Sequence, residues 1–274
     1  MEVERLKIDH SGRIAAPAAS AAFPPGQAKI WSVRLDSVAP RWAATLLSDE
    51  ERRRVEGIAL PERGRRYAAA HAGVRVVLAA CAGLRADRVI FEQGRHGKPR
   101  LVGQPGLRFS LSHSGAWGLI GVSTAGEIGV DIERVRSDLD PERLARRVFS
   151  SQELTVWDAL ATHGSGAAAP GSAAAEEHRR QIFLHAWVRK EAYAKARGEG
   201  LARGLRSFSV TIGWAECRQT EAAGDDKQAP RLIADERDPQ AAEQWILRDL
   251  DIAAGYAGAV AFERRESRRG GIEG

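Results

Sequence analysis

EIGVDIERV, residues 127–135, alternates side-chain types with a period of two, so it reads as a β-strand with Val130 and Ile132 on one face and Asp131 and Glu133 on the other. Two carboxylates on one face repel each other, and burying them without a cation is costly. Either the strand is an edge with both acids in solvent, or the pair holds something positive. Oxygen ligands on one face suit a hard ion such as Mg²⁺, which keeps several waters and takes further ligands from a substrate phosphate.

Downstream of this strand the text turns helical. Ser150 and Glu153 form a capping box, a long helix spans about Arg179 to Arg197, and SFSVTIG (207–213), WILRDL (245–250) and YAGAVAF (256–262) read as strands. Upstream, the same order occurs once already. KIWSVRL (29–35) alternates like a strand, Ser48 and Glu51 open a short basic helix, and a longer helix from about Arg63 to Ala82 stops at Gly83. Three strand-like runs follow: RVIFEQ (88–93), RFSLSH (108–113) and WGLIGVS (117–123).

The repeated order of strand, helix, long helix and three strands predicts an α/β (α+β) fold of two similar lobes, residues 28–125 and 126–264, with the site in the cleft between them. Residue-level identity between the halves is slight. Residues 1–27 read as an irregular N-terminal extension, about 162–178 as a low-complexity surface insertion resembled by the polar stretch 218–229, and 265–274 as a polar tail.

The 274 residues, 43% hydrophobic and 28% charged, can bury one large core or two modest ones, which excludes disordered and fibrous classes. Cys81 and Cys217 lie far apart and belong to no zinc-binding pattern, so a reducing cytoplasm is expected. MEVERLKIDH lacks the apolar run of a secretory signal, and no stretch approaches the ~20 apolar residues of a membrane span. The net charge of +5 favours polyanions, acidic proteins or phosphorylated small molecules without choosing among them.

On the long second helix, Trp187, Glu191 and Lys195 recur every four residues and share one face, with Lys190 beside them. Glu191 is placed to be a third carboxylate ligand or a general base for a serine hydroxyl, and Lys195 to neutralise a leaving phosphate. The plainer alternative is a surface Glu–Lys pair. FSLSHSG (109–115) gathers small donors suited to phosphate oxygens but lacks the G-x-S-x-G spacing of a nucleophile elbow. Gly97-Lys98-Pro99 is a rigid turn presenting a lysine, and Arg52, Arg53, Arg54, Arg65 and Arg66 add positive charge. Gly198-x-Gly200 follows no strand, which sets nucleotide-binding folds aside.

Taken together and in this order, GKP (97–99), FSLSHSG (109–115), GVDIE (129–133) and WVRKEAYAKARGEGL (187–201) resemble the 4′-phosphopantetheinyl transferases of the surfactin-synthetase-activating type. The resemblance runs from about Ser48 to Phe262. It implies two α/β lobes related by a pseudo-two-fold axis, with coenzyme A as substrate in the cleft between them. A carrier-protein serine attacks the pyrophosphate there and releases adenosine 3′,5′-bisphosphate. It further implies Asp131, Glu133 and Glu191 as Mg²⁺ ligands, Glu191 as the general base, and Lys195 as the cation beside the departing pyrophosphate. Lys98 then lies near the adenine nucleotide, Ser112 and His113 contact the nucleotide phosphates, and Arg54 and Arg66 are further basic contacts. Position 51, a phosphate-binding lysine in a close relative, is Glu51 here, which leaves Arg52 or Arg53 as substitutes.

The implied partners are coenzyme A and an apo acyl or peptidyl carrier protein of polyketide, nonribosomal-peptide or fatty-acid synthesis, with no nucleic acid, no membrane and a monomeric enzyme. Two rivals follow from the same residues. D-x-E followed by E-x-x-x-K on a basic chain also suits a metal-dependent nuclease. A non-catalytic module that binds coenzyme A or the carrier is the other.

Overall fold

The computed structural model of the chain describes residues 2–17, 23–94, 97–163, 172–198, 204–213 and 229–264. The expected tail 265–274, nearly all of the stretch 218–229, and residues 164–171 of the expected insertion lie outside them.

The first half runs β1 (Val3–Arg5), β2 (Ala28–Arg34), α1 (Pro40–Leu46), α2 (Asp49–Glu56), α3 (Pro61–Ala82), β3 (Phe91–Gln93), β4 (Pro99–Leu101), β5 (Arg108–Ser114) and β6 (Trp117–Ser123). The second runs β7 (Ile128–Arg134), α4 (Pro141–Val148), α5 (Ser151–His163), α6 (Ala173–Arg197), β8 (Phe208–Val210), β9 (Leu232–Asp235), β10 (Trp245–Leu250) and β11 (Tyr256–Glu263). The mixed α+β class and the repeated order are both present. In the first half β2, β6 and β5 pair antiparallel in that spatial order, and in the second β7, β11 and β10 do the same. Each half adds a short antiparallel pair, β3 with β4 and β8 with β9. No described helix is long and apolar enough to cross a membrane.

Both capping boxes close reciprocally. Glu51 accepts from the Ser48 amide at 2.8 Å while Ser48 Oγ accepts from the Glu51 amide at 3.2 Å, and the Ser150–Glu153 distances are 2.7 and 3.2 Å. Each acid then reaches the long helix of its own half. Glu51 accepts from Arg75 on α3 at 2.8 Å, and Glu153 takes the Lys190 ammonium of α6 on both oxygens at 2.8 and 2.6 Å. Each cation also donates to a backbone carbonyl, Arg75 to Val89 and Lys190 to Phe208. The halves therefore share a residue-level device that comparison of their sequences does not reveal.

Helix α6 starts at Ala173, six residues ahead of the expected Arg179, because Ser172 caps it by accepting from the Ala175 amide. Part of the expected insertion is thus helical. The strand-like runs 88–93 and 207–213 shorten to Phe91–Gln93 and Phe208–Val210.

Apolar side chains gather in three clusters: α3 against the first sheet, α6 against the second, and a layer between the sheets. In that layer Ile30 and Leu119 meet Val130, Ile132 and Val260, all fully buried. Val130 and Ile132 thus occupy the apolar face expected of them. The opposite face of β7 lies against α6 with almost no room: a Cβ on Gly129 would fall 2.1 Å from the Ala192 carbonyl oxygen and 2.4 Å from the Ala196 nitrogen. Glycine at 129 is what lets the strand approach the helix backbone this closely, and the approach brings Asp131 to Lys195.

The N-terminus differs from the irregular extension expected. β1 pairs parallel with β2, the Leu6 amide donates to the Ser32 carbonyl at 2.8 Å, and Leu6 and Ile14 are buried in the first core at 5% and 4% exposure. The stretch shields one edge of β2 while burying only a few of its own residues, too few to set up a readable period. Leu6→Ala is expected to cost about 2–4 kcal/mol in urea unfolding, as for other buried leucines, whereas a detached extension would leave stability unchanged.

Candidate active site

Asp131 is almost fully buried, at 3% exposure. Its Oδ1 accepts from Lys195 Nζ at 2.6 Å and from Ser112 Oγ at 2.8 Å, and its Oδ2 is buried with no hydrogen-bond partner. Glu133 is half-buried and accepts from Ser114 Oγ at 2.8 Å. Glu191 rises from α6 toward both acids, and its Oε1 is likewise buried without a partner. Beta-strand alternation and helical i, i+4 spacing, combined with the close approach at Gly129, thus bring three carboxylates and one ammonium within electrostatic reach of one another.

The electrostatics show too little positive charge for three acids. Burial, and then the facing Asp131 and Glu133, push the Glu191 carboxyl up to about 7, partly offset by Lys195. Glu133 is also raised, by burial first and by Asp131, against the lowering effect of its Ser114 bond. A cation placed among them would reverse both trends. Among the described residues, no group of three acidic, histidine or cysteine side chains is already gathered into a metal-ligand cluster.

Beside the acids lies a cavity of about 370 Å³ lined by His71, Phe91, Phe109 and Leu111, together with Lys98 and Lys195. Its apolar and aromatic lining with a few polar groups is typical of small-molecule sites. Lys98 lines the cavity, but its ammonium is taken by Glu127 Oε2 at 2.7 Å and by the Ile128 and Ala196 carbonyls at 3.0 and 2.9 Å. Those bonds tie the GKP turn to β7 and to the end of α6. Lys98 is therefore a brace between the halves as well as a wall of the cavity.

The His113 ring lies edge-on to Tyr67 with centroids 6.2 Å apart, and Tyr67 stacks on His71 at 4.1 Å. The outer edge of His113 remains in solvent, yet protein around its inner face, then His71 and Lys195, push it down to about 4 and keep the ring neutral at pH 7. Arg54 lies over the Tyr67 ring at 5.6 Å, which connects it to the same group. Arg66 is not part of this group. Asp36 holds it at 2.7 and 3.0 Å, Glu62 pairs with it, and it lines a second cavity of about 260 Å³.

Glu51, the position of the missing lysine, is a buried structural acid. His71 and Arg75 bind it, and despite burial those partners and the Ser48 amide hold it down at about 2. Of the suggested substitutes, Arg52 is occupied by Asp49 and the Leu47 carbonyl, while Arg53 is exposed. Sequence reasoning missed two residues here. His71 lines the cavity and had no signal beyond an Ala-rich helix, whereas Ser114 could have been found from the Ser110, Ser112, Ser114 alternation.

The family described as the 4′-phosphopantetheinyl transferase superfamily matches this chain over residues 127–260. The 4′-phosphopantetheinyl transferase HetI of Nostoc sp. is 33% identical over 200 residues, which span 71% of this chain and 78% of that protein. The chain belongs to the 4′-phosphopantetheinyl transferase superfamily. Within the superfamily, the 4′-phosphopantetheinyl transferase Sfp of Bacillus subtilis is 33% identical over 122 residues, 44% of this chain and 47% of its own. A solved structure, the Thermotoga maritima holo-[acyl-carrier-protein] synthase, covers 51% of this chain and 64% of its own at a TM-score of 0.35 and 16% identity, a likeness too slight to build on. The superfamily match begins at Glu127 and spans all three acids and Lys195.

Proposed function

We propose that this chain transfers the 4′-phosphopantetheine arm of coenzyme A to a serine of an apo acyl or peptidyl carrier protein, with Mg²⁺ bound and adenosine 3′,5′-bisphosphate released. The observation that carries the reading is the mutual repulsion of Asp131, Glu133 and Glu191, short of positive charge, beside Lys195 and the cavity.

The residues fit a hard divalent ion. The donors are all carboxylate oxygens, and two of them, Asp131 Oδ2 and Glu191 Oε1, are buried with no other partner. Asp131, Glu133 and Glu191 would hold it, and when bound it would neutralise the pyrophosphate oxygens that gain charge during transfer. The chain's own residues do the rest. Glu191 accepts the proton of the carrier serine hydroxyl at the carboxylate oxygen not given to the ion. Lys195 places its ammonium next to Asp131, where it can also meet the departing phosphate oxygens. The apolar wall of Phe91, Phe109 and Leu111 excludes water from the nucleotide side. His113 offers a ring N–H to a phosphate oxygen.

An apo carrier protein incubated with coenzyme A, Mg²⁺ and this protein should gain one phosphopantetheine group by mass spectrometry, with adenosine 3′,5′-bisphosphate in equal amount. No gain across carriers of polyketide, peptide and fatty-acid synthesis would sink the reading, and cleavage of plasmid DNA instead would favour a nuclease. His113→Ala is expected to raise the KM for coenzyme A about 10-fold with kcat nearly unchanged, since a contact made equally in ground and transition states contributes uniform binding. A pure kcat defect would remove His113 from that role.

A further inference from the structure

Strands β5 and β7 are the edges of two different sheets, and they face each other without a backbone ladder between them. Three serines on β5, at 110, 112 and 114, bridge the gap. Ser110 Oγ accepts from the Val130 amide at 3.1 Å, and Ser114 Oγ accepts from the Arg134 amide at 3.1 Å. The middle serine breaks the pattern, its hydroxyl donating to Asp131 Oδ1 at 2.8 Å and accepting from Lys195 at 2.9 Å. Ser114 alone combines an amide of β7 with a carboxylate, since it also donates to Glu133 Oε2 at 2.8 Å.

We infer that Ser114 is a positioning residue that sets the direction of the Glu133 carboxylate from the opposite half of the chain; the inference rests on the transferase reading above. The geometry leaves the hydroxyl one choice. A serine carries one proton, and because the Arg134 N–H must donate to Ser114 Oγ, that proton is directed away from the amide and onto Glu133 Oε2. One oxygen of Glu133 is thereby fixed, on the strand face that Glu133 shares with Asp131. Glutamate has three rotatable bonds and loses much rotamer freedom when ordered, so a pre-set carboxylate binds a cation more tightly than a free one. Ser110 provides the control, because it makes the same kind of amide bridge and touches no acid.

The test is a titration of Mn²⁺ into the full-length protein with coenzyme A present, following free Mn²⁺ by electron paramagnetic resonance. Ser114→Ala is expected to weaken Mn²⁺ binding about 10-fold, the size usual for residues that orient metal ligands, and to raise the Mg²⁺ concentration for half-maximal transfer equally while the KM for coenzyme A stays within about twofold. Ser114→Thr, which keeps the hydroxyl, should restore Mn²⁺ affinity. Ser110→Ala should lower the unfolding temperature without weakening Mn²⁺. Wild-type Mn²⁺ affinity in Ser114→Ala, failure of threonine to restore it, or an equal loss in Ser110→Ala would each overturn the inference. If the alanine variant does not fold, Ser114→Cys, which keeps the volume but donates weakly, makes the same comparison. A wild-type protein that binds Mn²⁺ yet transfers nothing would sink the functional reading and leave the Mn²⁺ comparison intact.

Discussion

Glu191→Gln is expected to abolish transfer and, in the presence of EDTA, to make the protein more stable above neutral pH. On the proposed mechanism the variant loses a proton acceptor and a charged oxygen together, and a fall in kcat of about 10³-fold or more is expected. The gain in stability follows from linkage. Glu191 ionises near 4.5 in the unfolded chain and only near 7 in the fold, where burial and two neighbouring carboxylates oppose its charge. Between those values the native state binds more protons than the unfolded state, so native stability falls as pH rises through this window, and the penalty is complete above 7. Glutamine never ionises. Unfolding curves of the two proteins should therefore coincide below about pH 4.5 and separate by roughly 2–3 kcal/mol in favour of the variant at pH 8. A variant no more stable than wild type at pH 8 would remove the crowding of charge on which the cation argument depends.

Lys190→Met is expected to be the most destabilising single change in the second half, costing about 3–5 kcal/mol in urea unfolding. Lys190 and Glu153 are both fully buried, and Glu153 also accepts from the Val210 amide at 2.7 Å. Without the lysine, Glu153 is left as an uncompensated buried charge holding a capping box and a strand amide. Pairing Lys190→Met with Glu153→Gln, which removes both charges and keeps an acceptor oxygen for the backbone amides, should recover part of the loss. A cost of less than about 1 kcal/mol for Lys190→Met would mean that water reaches the pair, against the burial described. Arg75 and Glu51 occupy the matching place in the first half, but His71 shares Glu51 there, so the same substitution should be milder.

Features governed by neighbours close in sequence were legible. The capping boxes at Ser48 and Ser150, the left-handed stop at Gly83, the two faces of β7 and the shared face of Glu191 and Lys195 all depend on contacts within about four residues. The N-terminal strand was not, because β1 is three residues long and its partner lies 27 positions on in the chain. The partner of Lys190 was not, because 37 residues separate it from Glu153. The resemblance implies Lys98 near the adenine nucleotide, and only the folded chain supplies the three oxygens, up to 98 residues away, that engage its ammonium.

By itself the sequence determined the repeated order of elements, the family resemblance and the chemical types at the candidate site: carboxylates, a lysine beside them, small donors on a neighbouring strand. Periodicity and capping are short-range, so they survive in a linear text. Which carboxylate oxygens are left without partners, which cations are spent on structure, and which serine aims Glu133 were decided only when β7 packed onto α6 and faced β5. Those outcomes depend on burial and on distances of about 3 Å between groups remote in the chain, quantities that exist only after the two halves close on each other.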